Sequence, residues 1–293
     1  TGVSGSGKTT LLHDVIHASA VADRPVCSAD LQGLSRFARV VSVDPSAIGT
    51  SPASNPATYS GLFDRIRERF AKTDDARRRG FKKGRFSFSG KAGQCPRCKG
   101  HGALRTPMGF LADVWVRCED CRGTRFNAET LEVRHEGCSI AEVLAMTVDE
   151  AAALFADDRK LAAGLARFVD VGLGYLRLGQ PAPTLSGGEA QRGRLVTELI
   201  RSAGRRPKQA GSTLFLFDEP TVGLHTADVA LLLRLFGDLC DAGHTLLVVE
   251  HHTDVIRAAD RILDLGPGGG PHGGHLVAEG TPAELAAHPD SVT

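Results

Sequence analysis

Long apolar runs are missing from this sequence: stretches such as Leu214-Phe215-Leu216-Phe217 are strand-sized, and all fall far short of the roughly 18 residues that a membrane helix needs. A helical membrane protein is excluded, and no membrane partner is expected. Cysteine is scarce and unevenly placed, seven residues in 293, which is too thin for a secreted disulfide framework. Four of the seven form two CxxC pairs, a pattern that in a reduced compartment signals metal, so an intracellular, cytoplasmic protein is expected. Cys27, Cys138 and Cys240 sit alone and read as ordinary core or surface thiols. Net charge is nearly absent as well, 35 basic against 34 acidic residues, and taken alone it argues against a polyanionic partner. No internal repeat or low-complexity tract is found. An initiating Met is lacking too: the chain opens on Thr1 with a phosphate-loop motif at its second residue, so a piece of a longer polypeptide is expected and a missing signal peptide carries no weight.

What is present is a length of about twice the usual domain, with 42% hydrophobic residues to build a core. The even charge total hides an asymmetry. Residues 64–105 hold 14 basic and 4 acidic side chains, leaving 21 basic and 30 acidic for the rest. A basic module is embedded in an acidic body. Along the chain, a Gly-rich loop leads into a helix over 8–20, with Leu11, Leu12, Val15 and Ile16 at helical spacing, and a strand follows at 38–43. The Ser-, Pro- and Asn-rich stretch 46–59 reads as a connector, and 61–72 as a basic helix. Residues 139–156 and 157–171 have helical patterns. Strands at 213–217 and 245–249 bracket a helix over 227–242 that Gly243 caps. This alternation predicts an α/β fold with a mostly parallel sheet, split by an insertion. The division expected is 1–60, 61–175 and 176–293, with the outer two forming one nucleotide-binding domain.

Gly2-Val3-Ser4-Gly5-Ser6-Gly7-Lys8-Thr9 satisfies GxxxxGK[ST]. Glycines let backbone N–H groups wrap phosphates, Lys8 brings a point charge, and Thr9 a hydroxyl for Mg2+, with Ser4, Ser6 and Thr10 in the same cradle at a helix start. An ordinary glycine turn is the bland reading, and Lys-Thr followed by a helix speaks against it. Asp218 and Glu219 close an apolar strand, where Asp218 would take Mg2+ and Glu219 would polarise the attacking water. Ser186, Gly187, Gly188 and Glu189 combine capping-box spacing with two bare amides, a second anion site at a helix start. Two such sites in one domain make sense if ATP is sandwiched head to tail between the loop of one copy and this segment of another. His251, just past the strand ending in Val249-Glu250, is placed to sense the γ-phosphate.

Cys95, Cys98, Cys118 and Cys121 have the spacing C-x2-C-x19-C-x2-C, which suits closed, structural Zn2+, with a redox CxxC as the rival. Alternation over 110–116 suggests a hairpin arm between the pairs, and its Trp115 is expected to fill the module's core. Arg77, Arg78, Arg79, Lys82, Lys83 and Arg85, interleaved with Phe81, Phe86 and Phe88, read as phosphate contacts with stacking faces, because nearby acids are few.

Together these residues resemble the ABC ATPase superfamily and, within it, the UvrA family, the A subunits of the UvrABC excinuclease. The resemblance spans nearly the whole chain. Besides the motifs above it rests on Ser54-Asn55-Pro56-Ala57-Thr58-Tyr59, Gly84-Arg85-Phe86-Ser87-Phe88, Asp170-Val171-Gly172-Leu173, Leu176-Arg177-Leu178-Gly179-Gln180, Leu185 to Arg192, Pro220, Gly223-Leu224-His225, and Asp264-Leu265-Gly266-Pro267. It matches the C-terminal of the family's two nucleotide-binding halves. It implies an ATP-hydrolysing sensor that dimerises, binds damaged double-stranded DNA through its zinc-bearing insertion, and hands the lesion to the B subunit, UvrB. Departures stand out: Pro45 follows Asp44 where the family has Gln, Thr50, Ser51 and Ala53 sit where it tends to show arginine, and Val222 replaces Thr. They fit a divergent paralogue, including UvrA-like proteins tied to resistance to DNA-binding drugs. A nonhydrolytic DNA-binding scaffold is the alternative that Pro45 motivates, and an ABC transporter subunit is a third reading with no use for the basic module.

Overall fold

The computed structural model describes residues 1–43, 48–49, 51–108, 111–203 and 212–293. Asp44, Pro45, Thr50 and Phe110, singled out above, lie outside the described residues. The chain separates into two compact units, Thr1–Ser46 with Ser202–Thr293, and Ala47–Arg201.

The first unit is built on a parallel sheet in which Thr213–Asp218 is the central strand, flanked by Arg39–Val43 and Thr245–Val249. A central strand covered on both faces needs apolar side chains at every position, not at alternate ones. Leu214 and Leu216 pack with Leu12 and Val249 on one side, while Phe217 faces Phe236 of the helix Thr226–Asp241 on the other, ring centroids 4.9 Å apart. Gly243, at φ 83°, ends that helix as expected. A second, antiparallel pair joins Ile262–Gly266 to His275–Gly280. Nothing in the sequence pattern pointed to this pair, because Gly266, Gly268, Gly269 and Gly270 break the alternation between the strands.

In the second unit, helix Leu62–Ala71 buries Leu62, Phe63, Ile66 and Phe70, and Arg159–Asp170 buries Leu161, Leu165 and Phe168. Their close approach depends on Gly164, where a Cβ would sit 2.4 Å from Leu62 Cδ2. The stretch 139–156 is not one helix. Ile140–Ala145 and Val148–Leu154 are separate because Thr147 starts a new capping box with Glu150, and the flanking backbone bonds Leu176 and Leu178. The hairpin Ala103–Met108 and Leu111–Arg117 stands between the cysteine pairs.

Candidate nucleotide site and cysteine nodule

The phosphate loop owes its shape to three glycines with positive φ, Gly2 at 126°, Gly5 at 77° and Gly7 at 94°. At Gly2 there is no space either: a Cβ would lie 2.0 Å from Leu265 O. The helix that follows runs Lys8–Thr10, widens to π-type winding over Leu11–His17 and continues as Ala18–Ala22. No side chain caps its start, and the N–H groups of Gly5, Gly7, Lys8 and Thr9 have no backbone acceptor among the described residues. A cluster of uncapped amides at a helix N-terminus suits an anion. Lys8 is buried, and its Nζ donates to Gly2 O at 2.9 Å and Val3 O at 2.8 Å, which holds the ammonium against the loop. Ser6 Oγ is buried without a partner, while Ser4 and Thr10 are exposed.

At the carboxyl end of the central strand, Thr9 Oγ1 donates to Asp218 Oδ1 at 3.3 Å. Asp218 Oδ2 also lies 3.4 Å from His13 Nε2, a contact without a sequence signature because a helical wide turn leaves no mark in the 3.6-residue pattern. Glu219 takes a left-handed backbone, φ 47°, unusual for a residue with a Cβ, fixed by its N–H on Val249 O at 2.9 Å. This turn sets its half-exposed carboxylate 3.4 Å from His251 Nε2. Beneath both sits Glu250, 4% exposed, which accepts from Thr221 N at 2.8 Å, Thr221 Oγ1 at 2.5 Å, His251 N at 2.8 Å and His252 N at 3.0 Å. It fixes the turn carrying His251 to the turn after Glu219. An acid closing an apolar strand marks Glu250 in Leu246-Leu247-Val248-Val249-Glu250 just as it marks Asp218, so Glu250 is legible from sequence by the same pattern.

In the second unit, Ser186 and Glu189 form the expected capping box at the start of helix Gly187–Ala203: Ser186 N donates to Glu189 Oε2 at 2.7 Å, and Glu189 N to Ser186 Oγ at 3.3 Å. Tyr175 donates to the other carboxylate oxygen at 2.6 Å, and that bond with the capping amide holds the Glu189 carboxyl below its usual range against the opposing effect of burial. Gly187 is exposed and Gly188 buried, and neither N–H has a backbone acceptor among the described residues.

Cys95, Cys98, Cys118 and Cys121 converge, all buried, with their sulfurs within 4.8 Å of one another. Cys95 and Cys118 Sγ are 4.0 Å apart, and Cys98 and Cys121 3.6 Å. Four thiolates at 2.3 Å from a tetrahedral ion stand about 3.8 Å from each other, whereas a disulfide is about 2.05 Å. The spacing is that of ligand edges. Burial pushes the Cys98 thiol up to about 12 and raises Cys121, while backbone N–H groups, Cys121's first, pull Cys118 down. A divalent cation inverts such a preference by deprotonating its ligands. Trp115, expected in the module's core, is 40% exposed on the hairpin, its ring centroid 5.6 Å from that of His101. The four sulfurs and Leu104 already fill the nodule's small interior.

The basic run is less bare than its sequence neighbourhood suggested. Arg79 pairs with Asp75 and Glu132, Lys83 with Asp64 and Glu68, and Arg85 with Glu129. Arg77 and Arg78 make long contacts to Asp74 and Asp75 and remain 66% and 76% exposed, and Lys82 is exposed. Phe86 and Phe88 are buried and offer no stacking face, while Phe81 lies under the Arg85 guanidinium at 4.3 Å.

A parallel sheet with a phosphate loop feeding one helix, paired carboxylates closing its central strand, and a cysteine-bearing insertion defines an ABC-type P-loop ATPase domain. No family model matches the chain. Among curated proteins, UvrABC system protein A of Methanothermobacter thermautotrophicus is 52% identical over 98% of this chain and 30% of its own length. Its counterpart in Thermus thermophilus is 53% identical over 98% of this chain and 30% of its length, and that of Streptococcus pyogenes serotype M1 50% identical over 100% and 31%. The crystal structure of UvrA2 from Deinococcus radiodurans matches with a TM-score of 0.92 at 52% identity, covering 100% of this chain and 35% of that one. The chain belongs to the UvrA family of ABC ATPases. It spans about 30% of the length of the curated relatives it matches.

Proposed function

We propose that this chain supplies the C-terminal nucleotide-binding half of a UvrA-type DNA-repair ATPase. The observation that carries the reading is the pairing at the end of the central strand, Asp218 with Thr9 at 3.3 Å and Glu219 with His251 at 3.4 Å, beside a loop of uncapped amides. In this reading the loop amides and Lys8 bind the ATP phosphates, and Thr9 and Asp218 would hold a Mg2+ ion, which would supply neutralising charge to the phosphates. Glu219 accepts the proton of the attacking water, and His251 reports on the γ-phosphate. Glu250 keeps the last two residues in register. The Ser186–Gly188 turn, exposed at Ser186 and Gly187, completes the nucleotide site of a second half or a second copy, head to tail.

The insertion is the proposed contact for damaged duplex DNA. Arg77, Arg78 and Lys82, the most exposed of the run, meet phosphates, while Arg79, Lys83 and Arg85 brace the surface through their ion pairs. The cysteine nodule holds a structural Zn2+, because four buried sulfurs leave no open coordination position. Family membership supports transfer of the lesion to UvrB as the downstream step.

Steady-state ATP hydrolysis with and without damaged duplex tests the reading. Glu219→Gln is expected to lower turnover about 100-fold or more while leaving ATP binding intact. Unchanged turnover in that variant contradicts it.

A further inference from the structure

Arg125 is a basic residue that the proposed function does not use, and its surroundings are unusual. It is 7% exposed and faces no carboxylate among the described ion pairs. Its Nη2 donates to Gly179 O at 2.9 Å, its guanidinium lies 5.0 Å from the Phe88 ring centroid, and its Nη1 is buried without a partner. One neutral carbonyl and one ring face do not offset the removal of a guanidinium from water. Its own backbone is part of the nodule: the carbonyl accepts from Cys95 N at 2.8 Å. Four thiolates around one divalent cation carry a net charge of about −2, which is the counter-charge a buried arginine lacks elsewhere here.

The other end of Arg125 grips a segment with few degrees of freedom. Gly179 donates to Leu144 O at 2.7 Å, and a Cβ there would lie 2.8 Å from the same oxygen. From Gly179 the chain runs through Pro181 and Pro183, pinned by Ala182 N on Ser54 O at 2.8 Å, and reaches Ser186, the cap of helix Gly187–Ala203, seven residues on. A pull on the Gly179 carbonyl is therefore transmitted to the start of that helix by a short, proline-stiffened strap.

We infer that Arg125 is a positioning residue that couples metal occupancy of the cysteine nodule to the placement of the Gly179–Ser186 strap, and so to the start of helix Gly187–Ala203 with the amides of Gly187 and Gly188. The inference rests on the proposed reading of the nodule as a Zn2+ site. The metal-loaded nodule holds the Arg125 backbone through Cys95, and the guanidinium holds the strap. Coupling of this kind is reciprocal: whatever loosens the strap weakens metal retention, and metal loss loosens the strap.

The test measures zinc retention and amide hydrogen exchange on the whole chain, with no activity readout. Zinc retention is followed by competition with a chromogenic chelator in the parent, Arg125→Met and Arg125→Lys. The parent is expected to hold one Zn2+. Arg125→Met is expected to bind it about 10- to 100-fold more weakly, as other outer-layer contacts to metal ligands do, and Arg125→Lys to recover most of that loss because the charge remains. Exchange at 179–186 should rise in Arg125→Met while helix Arg159–Asp170 stays as protected as in the parent. If Arg125→Met does not fold, stripping zinc from the parent should produce the same local rise. A parent without zinc overturns the metal reading and the coupling with it. A zinc-loaded parent whose strap is indifferent both to Arg125→Met and to zinc removal, or whose zinc affinity is unchanged in that variant, overturns the coupling alone.

Discussion

At the scale of single residues, backbone strain and burial sort the side chains that act from those that support. Glu219 carries a left-handed backbone that only its turn explains, and Gly2 has no room for a Cβ. His135 shows the supporting kind. It is 8% exposed, stacked on Phe155 at 5.6 Å and set edge-on to Phe70 at 5.7 Å, with Nε2 unpartnered. Burial lowers its pKa below the ordinary imidazole value of about 6.5, with Arg69 adding to the effect and Glu136 and Asp157 opposing it. The unfolded chain then takes up the proton more readily than the folded one. Stability is full above about pH 6.5 and falls as the pH drops toward the folded-state value. Urea unfolding at pH 7.5 and 5.5 is expected to show a smaller acid loss in His135→Phe than in the parent, and parallel losses would contradict the assignment.

At the scale of elements, what could be read from sequence was what local chemistry dictates. The phosphate loop, the capping box at Ser186 and Glu189, the two-sided apolar strand ending in Asp218, and the cysteine convergence each follow from residues close together in the chain. What could not be read depended on distant partners. The acids that pair with Arg79 and Arg85, Glu132 and Glu129, lie more than 40 residues away, so the run looked uncompensated. Phe86 and Phe88 alternate with polar residues like a stacking strip, yet they are drawn into an aromatic core with Phe63, Phe70 and Phe126. Trp115 was expected inside because it is large, but a nodule closed by four sulfurs has no room for it. The hairpin between the cysteine pairs depends on its base. Cys95→Ser is expected to abolish stoichiometric zinc, measured by atomic absorption, and to release exchange protection in Ala103–Met108; full zinc content in that variant would contradict a four-sulfur site.

At the scale of the whole molecule, the even charge total and the local basic excess give a clear expectation for DNA. If Arg77, Arg78 and Lys82 meet phosphates, the logarithm of affinity falls with the logarithm of salt concentration at a slope near −0.9 for each contact. Replacing Arg78 by Ala should make that slope shallower by about 1. An unchanged slope would move the contact surface elsewhere. The claim on which the functional reading turns is that a nucleotide is completed by two copies or two halves, and complementation tests it most directly. Lys8→Ala spoils the loop and leaves the Ser186 turn intact, and Ser186→Arg does the reverse. Each alone is expected to be inactive, and an equimolar mixture should recover about a quarter of the parent ATPase rate, since half the pairs carry one intact composite site of two. A mixture as inactive as its components, under conditions where the parent turns over, would contradict the account.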